Sequence, residues 1–243
     1  MPRKEDVFFQ VLTGNKPCVN LLPFGIEMAK LANGSGVAYG HSGYLPSDRN
    51  NGIIYWLDKT DCKFLVQVDH DMTPPLNILE LADHDVELVG VPYLFMGDQG
   101  PSISGAGLTG ADGIRETVWP GRGMVEVEWF GTGAYCIRRD FAERMISEYG
   151  MLFDYDTKAR GVKDRGTDVF MCIRARRLGY KVWWDRDMVA GHLKEEIWVP
   201  MESGEVRFVP PLLFWKGREV PEIGNERKKR FEVFNEQPTG KES

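Results

Sequence analysis

Asp69 and Asp71 stand one residue apart at the end of an apolar run, Phe-Leu-Val-Gln-Val over 64–68. That run reads as a short buried strand. Strand side chains alternate between faces, and the chain must turn as it leaves a sheet. An Asp-x-Asp at a strand's carboxyl end can therefore aim two carboxylates at one point above the sheet edge. Hard divalent cations take oxygen ligands of this kind, and diphosphates need such cations. The same triplet also serves as an ordinary turn, so its meaning depends on what the rest of the chain brings to it.

Three further groups could join that chemistry. His192, one of four histidines, follows a strand; it is either a structural histidine or, with Asp71, an imidazole ligand to a metal. Carboxylate plus imidazole suits Mn²⁺ better than Mg²⁺, which prefers oxygen throughout. Asp168 follows Thr167, expected to cap a helix whose dipole favours an ionised carboxylate at its start. It reads as a plain helix-start acid or as a carboxylate held at a helix tip, facing the same cleft. Arg49 and Asn50 fall in the first turns of another helix, where a cation opposes the dipole. Arg49 is either an exposed side chain without a role or a contact to an anionic or heteroaromatic ligand. His70, between the two acids, should point to the other side.

Positioning these groups takes a sheet. Residues 7–12 read as a first strand that stops at Thr13-Gly14-Asn15, where glycine can take positive φ. A helical apolar face follows over 21–31, then a strand over 36–39. A helix over about 47–57 carries Ile53, Ile54, Trp56 and Leu57, capped by Ser47 or Asp48. After the strand ending at Asp69, Pro74-Pro75 opens a third helix with Leu76, Leu79 and Ala82, and 86–91 reads as a fourth strand. Such alternation predicts a parallel sheet with right-handed crossovers and helices on both faces. Ligands of these sheets bind at the carboxyl ends of the strands, the edge on which Thr13, Gly14, Arg49, Asp69 and Asp71 all fall.

Beyond this the pattern changes. The glycine-rich stretch 97–113 reads as disordered or as a lid. Residues 117–119 and 124–129 resemble a hairpin across Pro120. Gly131-Thr132-Gly133 precedes a strand over 134–137 and serves either a bulge or the close approach of a sugar. A helix carrying Phe141 and Met145 comes next, then the helix from Thr167 to Leu178, ended by Gly179, and a strand over 180–184. Residues 206–215 are apolar enough to pack back on the domain, and the charged 225–230 reads as a helix or frayed tail.

The chain has 243 residues, 42% hydrophobic and 12% aromatic, enough for a sizeable core. We expect one domain over 1–200 and an extension over 201–243. A net charge of −6 argues against gripping nucleic acid by charge alone. Cys18, Cys62, Cys136 and Cys172 are scattered, which favours reduced core thiols over zinc or disulfides. Neither a signal core nor an apolar run near membrane length is present, so we expect a cytoplasmic protein without membrane insertion.

The ordered set of a strand before Thr-Gly, Asp-Arg-Asn, a strand before Asp-His-Asp, Gly-Thr-Gly, Thr-Asp-Val opening a helix that ends Leu-Gly-Tyr-Lys-Val-Trp, and Gly-His resembles the small glycosyltransferases of the GT-A fold. It is similar to family 2-like enzymes of bacteria and phages, over roughly residues 7–193. The resemblance implies a Rossmann-like α/β fold with a mostly parallel central sheet. It implies that Thr13, Arg49 and Asn50 receive the nucleotide, with Gly14 beside them. Asp69 and Asp71 would form the acid motif, Asp71 the more direct metal ligand and Asp69 closer to the ribose, and His192 would close a Mn²⁺ (or Mg²⁺) site. Asp168 would be the general base of an inverting transfer; Thr167 stands where the family has a glutamate.

The donor would be a nucleoside-diphosphate sugar, with UDP favoured. The acceptor, a glycan, a protein side chain, a lipid head group or a modified nucleic acid base, is not legible, and neither is the oligomeric state. Trp129, Phe130, Trp183 and Trp198 could stack on a sugar ring or belong to the core. Two other functions use similar sheets. A nucleotidyltransferase would carry a glycine-rich, basic loop after the first strand, which Thr13-Gly14-Asn15-Lys16 matches poorly. A non-catalytic sugar- or nucleotide-binding module would need no base.

Overall fold

The computed structural model describes residues 6–13, 32, 34–39, 45–97, 100–104, 106–109, 115–118, 120–157, 163–193, 197–200 and 206–209. The helix expected over 21–31, Gly14, Cys18, and the tail 225–230 lie outside these residues. In chain order the elements are β1 (Val7–Thr13), β2 (Gly34–Tyr39), α1 (Leu45–Lys59), β3 (Phe64–Asp69), β4 (Met72–Thr73), a 3-10 helix (Ile78–His84), β5 (Leu88–Gly90), β6 (Tyr93–Gly97), β7 (Gly100–Ser104), β8 (Ala106–Thr109) and β9 (Arg115–Val118). Then come β10 (Met124–Val127), β11 (Trp129–Phe130), β12 (Ala134–Arg138), α2 (Arg139–Tyr149), β13 (Asp156–Thr157), β14 (Lys163–Arg165), α3 (Thr167–Arg177), β15 (Val182–Asp185), β16 (Gly191–Leu193), β17 (Ile197–Pro200) and β18 (Val206–Val209).

The central sheet has seven strands in the order β10–β15–β5–β12–β3–β1–β2. β1 is parallel to β2 and β3, and β5 is parallel to β15. β12 runs antiparallel to both of its neighbours, β3 and β5, and β10 runs antiparallel to β15. The sheet is thus mixed, mostly parallel with two reversed strands. Alternation along the strands sends side chains to two cores. Val7, Phe9, Val11, Val66 and Val68 pack with Ile78, Leu79, Leu81 and Ala82 of the 3-10 helix on one face. Phe8 and Leu65 pack on the other with Ile53 and Trp56 of α1, Phe141 and Met145 of α2, and Met171 and Cys172 of α3. Fully burying a large apolar side chain such as Phe141 contributes about 2–3 kcal/mol.

The connections decide where each helix begins. α1 leaves β2 and α3 feeds β15, so both start at the edge where the parallel strands end. α2 leaves the reversed strand β12 and starts at the opposite edge. There Arg139 closes the end of α1: its guanidinium donates to the carbonyls of Leu57 (3.0 Å), Trp56 (3.3 Å), Thr60 (2.6 Å) and Cys62 (3.0 Å), groups a helix end leaves without partners.

Four local expectations are revised. Residues 117–129 do not form one hairpin: β9 pairs with β8, while β10 pairs with β15. Part of 97–113 is regular, since β6 and β7 form a hairpin and β8 joins β9 and β11. After Pro74-Pro75 the chain makes a 3-10 helix that starts only at Ile78. Gly166, not Thr167, is the N-cap of α3. A four-stranded sheet, β18–β17–β16–β4, flanks the central one, so the chain beyond residue 200 adds a strand to it. Cys62, Cys136 and Cys172 are buried. No helix of the described residues is long and apolar enough to cross a membrane.

Candidate functional site at the carboxyl edge of the sheet

The carboxyl end of β3 is tied into this edge from both sides. Asp69 pairs with Leu12 in the parallel register. Its amide donates to Gly133 O at 2.8 Å, and the His70 amide donates to Leu12 O at 2.9 Å. The Gly-Thr-Gly segment is thus a buried backbone shelf under the acid triplet. A Cβ on Gly133 would stand 2.9 Å from Tyr93 Cζ and 3.1 Å from Met72 Cε. The glycine is needed here for the close approach of protein side chains.

Asp69 continues the face of β3 that carries Leu65 and Gln67, because side chains two apart share a face. That face looks at α1, where Pro46, Arg49, Ile53 and Trp56 lie on the buried side. Arg49 is therefore an interior cation, 3% exposed. Its Nη2 donates to Asp69 Oδ2 at 2.7 Å and its Nη1 to Thr132 O at 3.1 Å, and the guanidinium lies 5.4 Å from the centre of the Phe153 ring. Burial disfavours the Arg49 cation, but Asp69, Tyr135, Tyr93 and Asp168 outweigh it, and its pKa is raised. Burial raises the Asp69 carboxyl to about 6 against the opposing charge of Arg49, and Asp71 pushes it the same way. The Asp69 side chain still keeps 24% exposure.

Beneath Arg49 runs a row of polar side chains on three adjacent strands. Gln10, Gln67 and Tyr135 are directly paired across β1, β3 and β12. The Tyr135 hydroxyl donates to Gln67 Oε1 at 2.6 Å, Gln67 Nε2 donates to Gln10 Oε1 at 2.6 Å, and Gln10 Nε2 donates to Gly52 O at 3.2 Å. Sequence reasoning missed this row. The signal was present: β1 and β3 each carry one glutamine in an otherwise apolar run.

Asp71 meets His192. Its Oδ2 lies 2.9 Å from His192 Nε2, across 121 residues of chain. The register produces this contact, because β4, directly after the triplet, pairs antiparallel with β16 and places His192 opposite Met72. Tyr93 packs edge-on against the imidazole, with ring centroids 6.1 Å apart. Tyr93 therefore touches the histidine on one side and the Gly133 shelf on the other.

The remaining expected residues are placed as follows. Asp168 is the second residue of α3. Its Oδ1 accepts from the Val169 amide at 3.0 Å, and its charge helps to hold Arg49 protonated, so it stands on the same side of the sheet as the Arg49–Asp69 pair. The Asn50 amide is used at both ends, donating to Phe153 O at 2.8 Å and accepting from Phe153 N at 3.0 Å. This fixes Phe153 under Arg49. Thr13 ends β1, paired with Tyr39. Phe130 is fully buried against Trp184, ring centroids 5.8 Å apart, which makes it core. The edge thus gathers Arg49, Asp69, Asp71 and His192 around one turn, but Asp69 and Asp71 face different partners.

No family model matches the sequence, and no curated protein does. Solved structures do match. A197 from STIV is similar with a TM-score of 0.53 at 13% identity, over 90% of this chain and 98% of that one. This likeness shows the fold. The chain is also similar to GalNAc-T7, solved with UDP, GalNAc and Mn²⁺, with a TM-score of 0.49 at 12% identity, over 77% of this chain and 44% of that one. It is similar to a nucleoside-diphosphate-sugar pyrophosphorylase from Vibrio cholerae RC9, with a TM-score of 0.42 at 12% identity, over 73% of this chain and 72% of that one.

Asp71 and His192 supply a carboxylate and an imidazole in direct contact, the pair that suits Mn²⁺. Asp69 Oδ1 is buried and has no hydrogen-bond partner among the described residues, which makes it a third oxygen of the right kind. The described residues hold no preformed cluster of three such side chains. Asp71 and His192, with Asp69 beside them, are donors of a kind that fits a divalent cation.

Proposed function

We propose that this chain is a metal-dependent glycosyltransferase of the GT-A type, similar to family 2. It moves a sugar from a nucleoside-diphosphate sugar, with UDP favoured, to an acceptor hydroxyl, with inversion. The observation that carries the reading is the Asp71–His192 contact at 2.9 Å. A carboxylate and an imidazole drawn together across 121 residues of chain, beside a second carboxylate at the carboxyl edge of an α/β sheet, form a site suited to cation-dependent diphosphate chemistry.

In this reading Asp71 and His192 would hold Mn²⁺ or Mg²⁺, and Asp69 would serve the cation and the ribose. A bound cation supplies compensation for the negative charge left on the departing diphosphate. Thr13, Gly14, Arg49 and Asn50 form the donor side, where Arg49 and Asn50 act through Asp69 and Phe153, the groups they hold. Asp168 accepts the acceptor hydroxyl's proton as that oxygen attacks the anomeric carbon from the face opposite the diphosphate, which inverts the centre in one displacement. Residues 1–200 form the transferase domain and 201–243 the extension.

Calorimetry with UDP, GDP and their sugars, with and without Mn²⁺, tests the reading. Mn²⁺-dependent binding of one nucleotide and slow hydrolysis of one sugar donor are expected. Absence of nucleotide binding under both conditions refutes it.

A further inference from the structure

We propose that Gln67 and Tyr135 are positioning residues for the Asp69 carboxylate, acting through Arg49. Neither reaches a ligand, because both are fully buried in the middle of the sheet. Their hydrogen bonds form a directed chain. Tyr135 donates to Gln67 Oε1, Gln67 donates to Gln10, and Gln10 donates to the Gly52 carbonyl of α1. The direction matters. Gln67 Nε2 donates to Gln10, which turns its Oε1 toward Arg49, whose Nη1 donates to it at 3.4 Å. The Thr132 carbonyl accepts from the same Nη1 at 3.1 Å. These two acceptors, with the Phe153 ring at 5.4 Å, leave Nη2 one direction, toward Asp69 Oδ2 at 2.7 Å.

Burying two glutamines, a tyrosine hydroxyl and a guanidinium in a sheet is costly unless they are paired. Both glutamines, the hydroxyl and both Nη atoms of Arg49 have partners, while Arg49 Nε has none among the described residues; hydrogen bonds linked in this way favour one geometry over its alternatives. The geometry selected holds one Asp69 oxygen and leaves the other, Oδ1, with no partner among the described residues. A carboxylate held on one side keeps a fixed orientation at the sheet edge, where the Asp69 side chain retains 24% exposure, and a fixed orientation is what a ribose hydroxyl or a cation requires. Gly52 belongs to the same device, since a Cβ there would collide with the Gln10 amide. The purpose assigned to the clamp rests on the transferase reading; the clamp itself does not.

Two full-length variants test this. Tyr135→Phe removes one hydroxyl and keeps the ring that packs against Phe153, with centroids 6.0 Å apart. Gln67→Met removes the amide at similar volume. The first readout is guanidinium rotation by ¹⁵N NMR of the Arg49 side chain, which needs no ligand. Rotation should be hindered in the wild type and fast in both variants. The second is the Kd for UDP with Mn²⁺, expected to weaken about tenfold in each variant, about the worth of one hydrogen bond between the Asp69 carboxylate and the ligand. Hindered rotation that persists in both variants overturns the proposal, and so does free rotation with an unchanged Kd. A wild type that binds neither UDP nor Mn²⁺ refutes the transferase reading and the purpose of the clamp with it, while the rotation result still decides whether the clamp exists.

Discussion

His192 Nε2 lies 2.9 Å from Asp71 Oδ2 because β4 and β16 pair with His192 opposite Met72. The two-residue strand β4 begins directly after Asp71, so the backbone ladder and the side-chain contact form together. A separate ion pair, the Asp69 carboxylate with the Arg49 guanidinium, occupies the other side of the same turn.

That arrangement predicts cation binding by the Asp71 side of the turn. His192→Ala and Asp71→Asn should each weaken Mn²⁺ at least tenfold, about the loss expected when one of few protein donors is removed. Titration followed by electron paramagnetic resonance measures this directly. Unchanged affinity in both variants would place any cation elsewhere.

Asp168 lies at the start of α3, and its charge supports the Arg49 cation. Asp168→Asn keeps the shape and removes the carboxylate proposed as the base. Transfer should fall about 10²–10⁴-fold while nucleotide affinity stays within about twofold. Single-turnover rates and calorimetry separate the two quantities. Retained turnover removes Asp168 from the role of base.

Gly133 permits the approach of Tyr93 and Met72 to the shelf under Asp69. Gly133→Ala forces both side chains away and should cost about 1–3 kcal/mol, seen as a lower urea midpoint. Because Tyr93 also packs on His192, the same variant should weaken Mn²⁺ binding. A variant as stable as the wild type would contradict the packing described.

Asp69 predicts a pH dependence of the metal-free protein. Its carboxyl is raised from an ordinary 3.8 to about 6 by burial. Between those values the folded state binds more protons than the unfolded chain. This group's contribution is therefore fully present below about pH 4 and is lost as pH rises through about 6. Urea midpoints at pH 4.5 and 7 should show a larger loss over that interval for the wild type than for Asp69→Asn. An equal loss in both proteins would assign the dependence to other groups.

How much of this was legible in residues alone varies by element. Three parallel strands and the helix between two of them follow from runs such as Val-Phe-Phe-Gln-Val-Leu and Phe-Leu-Val-Gln-Val and from the periodicity of α1. Those patterns report which face of an element is buried. The pairing of β9 and β10 was misread because a proline-glycine turn reports a change of direction and not the partner on each side.

The amino-acid sequence by itself determined that Asp69 and Asp71 close a buried strand, that Asp168 opens a helix, and that these points share one sheet edge. Each follows from a local pattern of apolar residues and turn formers. Only the tertiary structure decided that His192 belongs to Asp71, that Arg49 points inward to hold Asp69, and that Gln10, Gln67 and Tyr135 lie in one row. These depend on strand order and register across as many as 121 residues. Local periodicity carries no information about which distant strand a given edge will meet.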